Sequence, residues 1–317
     1  MIIHTANHVL MIRPARFAFN PQTAENNSFQ KESDQTQEAI HKLALTQFDA
    51  FVSQLRNKHI NVTVVQDTLD PHTPDSIFPN NGFSLHHDGT LVLYPMFAPN
   101  RRFERKPHLR QILEQTFDIK RVVDLTHYES KDQFLEGTGS MVLDRTFRIA
   151  YACRSPRTHQ DALLDFCKQL DYRPILFDAH DRCGRPIYHT NVMMCVASNY
   201  IVLNLDAIIS ASDRELVLAS AAATNKEIIS IDMTQMEHFA GNMLQLHNVA
   251  GNPFLVLSTT ALHCLTPAQK EKIERYNPLI VPDIPTIELH GGGSARCMMA
   301  ECFFSKKHKV RVNISKK

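Results

Sequence analysis

The 317-residue chain carries 34 basic and 33 acidic side chains, a near balance that argues against a nucleic-acid stripe or a face for anionic membrane. Its length suits one large domain or two ordinary ones, and no window approaches the roughly 18 apolar residues that a membrane span needs. Residues 1–13 lack the apolar core of an export signal, and seven cysteines without CxxC pairs read as thiols in a reducing cytoplasm, so the expected partner is a small molecule.

Taken in order, the chain alternates helices and short strands. Residues 33–59 carry apolar side chains at helical spacing with Ser33 or Asp34 as N-cap, and the β-branched run 60–65 follows as a strand. The pairing recurs as helix 102–117 with strand 121–124, helix 158–170 with strand 175–177, helix 213–225 with strand 227–231, and helix 267–276 with strand 279–281. Further strands are expected at 90–94, at 140–143, across 191–205 with a break near Ser198-Asn199, and at 253–257. No residue motif returns at a fixed period and no proline-rich, glycine-rich or charged linker divides the chain, so a single domain over 1–317 is expected.

Four segments stand apart from this pattern. The first is Asp75-Ser76-Ile77-Phe78-Pro79-Asn80-Asn81-Gly82-Phe83, where an acid, aromatic rings and two amides crowd together; Asn-Asn-Gly is equally an ordinary turn. The second is Leu135-Glu136-Gly137-Thr138-Gly139-Ser140, whose carboxylate is either a ligand or a turn acid. In Tyr188-His189-Thr190-Asn191 a polar segment passes into an apolar strand, a placement that aims His189 into a cleft, although 17 histidines make any single one a weak candidate. The fourth, His290-Gly291-Gly292-Gly293-Ser294-Ala295-Arg296-Cys297, is a glycine turn expected to expose one thiol with an arginine beside it. A reactive thiol needs a cation, a base or a helix dipole nearby and a group to protonate the leaving atom.

Together the four segments resemble the guanidino-group modifying enzymes of the pentein superfamily, which includes arginine deiminases, dimethylarginine hydrolases and arginine amidinotransferases. The order acid, acid, histidine, C-terminal cysteine matches nearly end to end. Within the superfamily the opening Thr5-Ala6-Asn7-His8-Val9-Leu10-Met11-Ile12-Arg13-Pro14, Phe78-Pro79-Asn80-Asn81 and Glu136-Gly137-Thr138-Gly139-Ser140 look most like the citrulline-utilisation hydrolases. The resemblance implies an α/β fold of five blades with pseudo-fivefold symmetry and a central active-site channel. It implies Cys297 as nucleophile, His189 as general acid and base, and Glu136 as the carboxylate that fixes the reacting nitrogens. Asp75 would hydrogen-bond the substrate with Phe78 beside it, and Arg101 and Arg157 would hold its α-carboxylate, a task that suits the planar guanidinium fork.

The departures from the family pattern bear on the substrate. Deiminases and dimethylarginine hydrolases often carry acids at the positions of Asn80 or Asn81 and of Gly139, and deiminases carry another at Asn191. A buried guanidinium needs carboxylates to offset its desolvation, whereas a neutral ureido group is satisfied by amides such as Asn81 and Asn191. The expectation is therefore hydrolysis of citrulline through a Cys297 carbamoyl thioester to ornithine, ammonia and carbon dioxide. Action on arginine or methylated arginine, amidino transfer, and a non-catalytic binding protein on the same fold are the alternatives. No cofactor or metal is expected, since neither the cysteines nor His86-His87 has zinc-ligand spacing; the partner is an amino acid, with no nucleic acid or membrane, and a homodimer is allowed.

Overall fold

The computed structural model describes residues 5–303; residues 1–4 and 304–317 of the expected single domain lie outside those described. Fifteen strands form five three-stranded sheets. The first sheet contains β1 (His8–Arg13) and β2 (Asn61–Gln66), the second β3 (Phe83–Leu85), β4 (Thr90–Leu93) and β5 (Arg121–Asp124), and the third β6 (Val142–Asp144), β7 (Ile149–Cys153) and β8 (Arg173–Phe177). The fourth holds β9 (Met194–Val196), β10 (Tyr200–Leu203) and β11 (Glu227–Ser230), and the fifth β12 (Leu244–His247), β13 (Pro253–Val256) and β14 (Leu279–Ile280). The last strand, β15 (Ala300–Glu301), returns to pair antiparallel with β1.

One pattern serves every sheet. A middle strand pairs antiparallel with one edge strand and, after the chain leaves through helix, parallel with the other; in the second to fifth sheets the antiparallel strand comes first in the chain, and in the first sheet it is β15. A parallel pair needs such a long crossover, and the helix covers the outer face of its sheet. Neighbouring sheets touch in succession: β15 packs on β3, β6 on β9 and β9 on β12. The turn Gly137–Ser140 packs on the turn Pro79–Asn81 and on β3, and Ala6 bridges Leu246 to bring the fifth sheet against the first.

Burial between each sheet and its helix supplies the cores. Phe48, Phe51 and Leu55 of helix Gln37–Asn57 lie with Val9 and Met11 in one cluster. Leu109, Leu113 and Phe117 lie with Leu85 and Leu91 in another. Across the molecule, Phe166 packs with Ala150 and Ala152, and Val217 and Ala221 with Ile201.

Three expectations shift. The first long helix runs Gln37–Asn57 and is capped by Thr36, whose side chain accepts the Ala39 N–H, rather than by Ser33 or Asp34. The helix expected over 102–117 is two pieces, Pro99–Arg102 and Pro107–Thr116, because Pro107 forces Lys106 into the extended region at ψ 142°. Residue 140 belongs to the helical turn Gly137–Ser140, so the strand begins at Val142. The expected break at Ser198-Asn199 is the turn between β9 and β10. Among the described residues no helix is long and apolar enough to cross a membrane, no group of three or more histidine, cysteine and acidic side chains could hold a metal, and no disulfide joins the seven cysteines.

Candidate active site

The chain enters each sheet through a short turn, and the site is built from these turns. Asn80 and Asn81 precede β3, Glu136 is the N-cap of the helical turn before β6, His189 is the N-cap of the turn Thr190–Met193 before β9, and Cys297 precedes β15. Asp75 and Phe78 lie just upstream of the Asn80-Asn81 turn. The residues that the sequence singled out thus come from four sheets and meet at the middle of the ring. Asp75, Phe78, Asn81, Arg101, Arg157, His189 and Cys297 line one cavity of about 20 Å³, room for a single water.

The glycine run leading to Cys297 is packed rather than loose. Gly291 ends helix Pro285–Gly291, and Gly292 follows at φ +63°, the left-handed C-cap conformation that favours glycine. The ring of Phe78 lies against Gly291 and Gly293, and Tyr188 Oη donates to Gly292 O at 2.7 Å. Arg296, expected beside the thiol, instead donates to Glu301 at 2.8 Å and to Met299 O at 3.0 Å. Its charge is consumed by that buried pair.

His189 Nε2 lies 2.8 Å from Glu136 Oε2. Burial, with Arg157 and Arg101 adding to it, pushes the imidazole down to about 4 against the pull of Glu136. Burial alone would raise the Glu136 carboxyl, but Arg157, His189 and Arg101 together hold it well below the usual carboxylate range. The pair is therefore a carboxylate and a neutral imidazole at pH 7. Because a carboxylate only accepts, the ring proton sits on Nε2 and Nδ1 keeps its lone pair.

Glu136 has little left to offer a substrate. Its Oε1 accepts the Phe97 N–H at 3.0 Å, its Oε2 is shared by His189 and by Arg157 Nη1 at 3.4 Å, and it does not line the cavity. The expectation that it fixes the reacting nitrogens changes accordingly, since its contacts orient His189. Asp75 is different. Its Oδ2 accepts from Asn20 at 2.7 Å and Thr23 at 3.1 Å, while the buried Oδ1 has no hydrogen-bond partner among the described residues. Desolvation raises its carboxyl, and Arg101 and the two hydrogen bonds oppose that rise.

The two arginines differ in what holds them. Arg101 is buried with Nε and Nη2 on the Glu104 carboxylate at 2.8 and 3.0 Å, and Nη1 on Asn81 Oδ1 at 2.8 Å. Its fork is already filled by Glu104, so the bidentate grip on a substrate carboxylate expected of it has no free face. It instead braces the Asn81 turn. Arg157 is equally buried, but its Nε is held by Asn26 at 2.7 Å and its Nη2 by Thr23 O at 2.8 Å. Both partners belong to the segment 20–31, which also contributes Asn27 to the cavity wall. Outside this segment lies an open basin of about 760 Å³ that shares Tyr188 with the inner cavity and is flanked by Phe29, Arg182 and Arg185.

Asn191 does not face the inner cavity. Its Nδ2 lies 3.4 Å from Cys297 Sγ, and its Oδ1 has no partner among the described residues. Two residues escaped the sequence reading. Glu104 carried only the weak signal of an acid three positions after an arginine. Asn242, whose Nδ2 is 3.3 Å from Cys297 Sγ, sits in Gly241-Asn242 just before β12, a small-polar pair ahead of an apolar strand like Asn81-Gly82 before β3.

The family model for N,N dimethylarginine dimethylhydrolase, eukaryotic, matches residues 13–304. The chain belongs to this family. That family lies within the pentein guanidino-modifying superfamily, and similar solved structures share the fold of this chain. The apo arginine dihydrolase ArgZ, from the ornithine-ammonia cycle in cyanobacteria, is 19% identical with a TM-score of 0.70, covering 94% of this chain and 41% of that one. The chain therefore spans about two fifths of full-length ArgZ, whereas the substrate-bound N-terminal domain of ArgZ, 18% identical with a TM-score of 0.70, matches over 94% of this chain and 99% of its own length. A dimethylarginine dimethylaminohydrolase bearing an S-methyl-L-thiocitrulline adduct is 15% identical with a TM-score of 0.61, over 93% of this chain and 99% of that one. No curated protein matches the chain in sequence.

Proposed function

We propose that the chain hydrolyses the ureido C–N bond of citrulline, releasing ornithine, ammonia and carbon dioxide. The observation that carries this reading is the charge of the cavity wall. One acid, Asp75, lines the cavity with Arg101 and Arg157, which are already paired with Glu104 and Glu136 behind the wall, and the rest is Thr23, amides, glycines, rings and Cys297. Glu104 is engaged by Arg101 and Glu136 by Arg157 and His189, so a guanidinium entering there would meet Asp75 as its single available carboxylate, whereas a neutral ureido group needs no counter-charge. Asp75 Oδ1 is free to accept its N–H groups.

The roles are assigned on the cavity that His189 and Cys297 share and on the His189–Glu136 pair. Cys297 Sγ gives its proton to His189 Nδ1 and bonds to the ureido carbon, with Phe78 as a flat wall. The bond from that carbon to the δ-nitrogen breaks as His189 delivers the proton to the nitrogen, and ornithine departs. Water then adds to the carbamoyl thioester with His189 taking its proton, the C–S bond breaks, and carbamate falls apart to ammonia and carbon dioxide. Glu136 holds His189 in the tautomer that both steps need. Because the cavity holds one water, an amino acid enters only when segment 20–31 moves, and that movement frees Arg157 from Asn26 and Thr23 to meet the α-carboxylate.

A second reading has arginine or a methylated arginine as first substrate, attacked by the same residues. Family membership and the arginine dihydrolase relative favour it. Incubating the purified protein separately with citrulline, arginine and dimethylarginine, and quantifying ornithine, citrulline and ammonia, separates the two. Ornithine from citrulline and none from arginine is the expected result; citrulline left intact while arginine yields citrulline overturns the charge argument.

A further inference from the structure

Four of the five sheets send a polar or nucleophilic side chain to the centre of the ring through the turn before their antiparallel edge strand, and the fifth sheet follows suit. Asn242, two residues before β12, is buried at 1% exposure. Its orientation is determined by its partners. The Arg296 backbone N–H donates to Asn242 Oδ1 at 3.1 Å, so the oxygen faces that amide and the NH₂ group faces the other way. There Nδ2 meets two acceptors, Asn191 O at 3.1 Å and Cys297 Sγ at 3.3 Å, one for each hydrogen.

Asn191 Nδ2 approaches the same sulfur at 3.4 Å. Gly241 explains how the fifth sheet comes so near, since a Cβ there would lie 2.2 Å from Val192 O and 2.7 Å from the Met193 carbonyl carbon. Only glycine lets the Gly241-Asn242 backbone press against the turn that carries Asn191.

We propose that Asn242 is a catalytic residue which, together with Asn191, cradles Cys297 Sγ as the thiolate through two amide N–H donors. The inference rests on Cys297 being the nucleophile, as in the function proposed above. Charge builds on this sulfur twice: when the thiol loses its proton to attack, and when the thioester C–S bond breaks and the electron pair returns to sulfur. A donor fixed at 3.3 Å favours both, because hydrogen bonds to a charged group are stronger than neutral ones. In the resting thiol the S–H can turn to Asn242 Oδ1 at 3.7 Å, so one amide serves the protonated and the ionised sulfur.

The test reads the thiol without substrate. The rate of iodoacetamide alkylation at Cys297 is followed against pH by peptide mass spectrometry in the wild type, Asn242→Asp and Asn242→Ala, with the exposed Cys183 as internal standard. Asn242→Asp keeps the acceptor for the Arg296 N–H and removes the donor; Asn242→Ala removes the donor without adding charge. The other groups around the sulfur, His189, Asp75, Arg101, Arg157 and Tyr188, stay in place. Both variants should alkylate Cys297 about ten- to a hundredfold more slowly near pH 7. Their profiles should move to higher pH, Cys183 should be unaffected, and kcat for citrulline should fall with little change in KM. Wild-type profiles in both variants overturn the proposal, as does an effect of Asp alone, which would belong to the added charge. Rapid wild-type alkylation combined with inertness toward citrulline would sink the substrate reading and leave the cradle standing.

Discussion

At the scale of single residues, the site was legible where chemistry forces an unusual residue into a recognisable local setting. Cys297, His189 and Glu136 stand out beside glycines or at the mouth of an apolar strand, Asp75 stands out in a run of aromatic and amide residues, and the fold brings the four together. Arg101 shows the limit. An arginine three residues before a glutamate reads the same whether its fork faces a ligand or, as here, closes on Glu104 at 2.8 Å. Asn242 is silent for a similar reason, because an asparagine after glycine is a turn until the sulfur is found 3.3 Å away. The tautomer of His189 gives a direct check. With its ring pushed down to about 4 from an ordinary value near 6.5, nitrogen-detected NMR should find it neutral at pH 6 with the proton on Nε2. A doubly protonated ring at pH 6, or a proton on Nδ1, would contradict the pairing with Glu136.

At the scale of elements, the five helix and strand pairs emerged from periodicity because each helix buries one apolar stripe on its sheet. The boundaries shifted where a single residue decided them, as Pro107 and the Thr36 cap did. Some strands stayed hidden. β3 has three residues, too few to show alternation, and β7, Ile-Ala-Tyr-Ala-Cys, is buried along its whole length and so has no polar face to reveal a period. Helix Gln37–Asn57 tests how much the buried stripe matters. Phe48, fully buried, should cost about 3–5 kcal/mol on change to alanine, whereas Thr36→Ala removes one cap and should cost about 1 kcal/mol. Urea unfolding of the two variants measures the difference; equal losses would mean that the helix is held by its end rather than by its face.

At the scale of the molecule, the ring turns distant sequence into one site. Cys297 lies next to β15, which pairs with β1 at the opposite end of the chain, and Glu301 of β15 takes Arg296 at 2.8 Å and Arg145, just past β6, at 3.2 Å. The segment that carries Cys297 is thereby fastened to two sheets. No stretch of sequence could show that closure, because it depends on distant neighbours such as Val9 and Glu301, paired between β1 and β15, and Thr5 and His247 at 2.9 Å. The measurement that reaches furthest into this account is acid-quench mass spectrometry of the protein mixed with citrulline, followed by mapping of the modified peptide. A carbamoyl group on Cys297, formed while ornithine appears and absent in Cys297→Ser, is the predicted result. An unmodified Cys297 with citrulline, together with an amidino adduct when arginine or dimethylarginine is supplied, would contradict it.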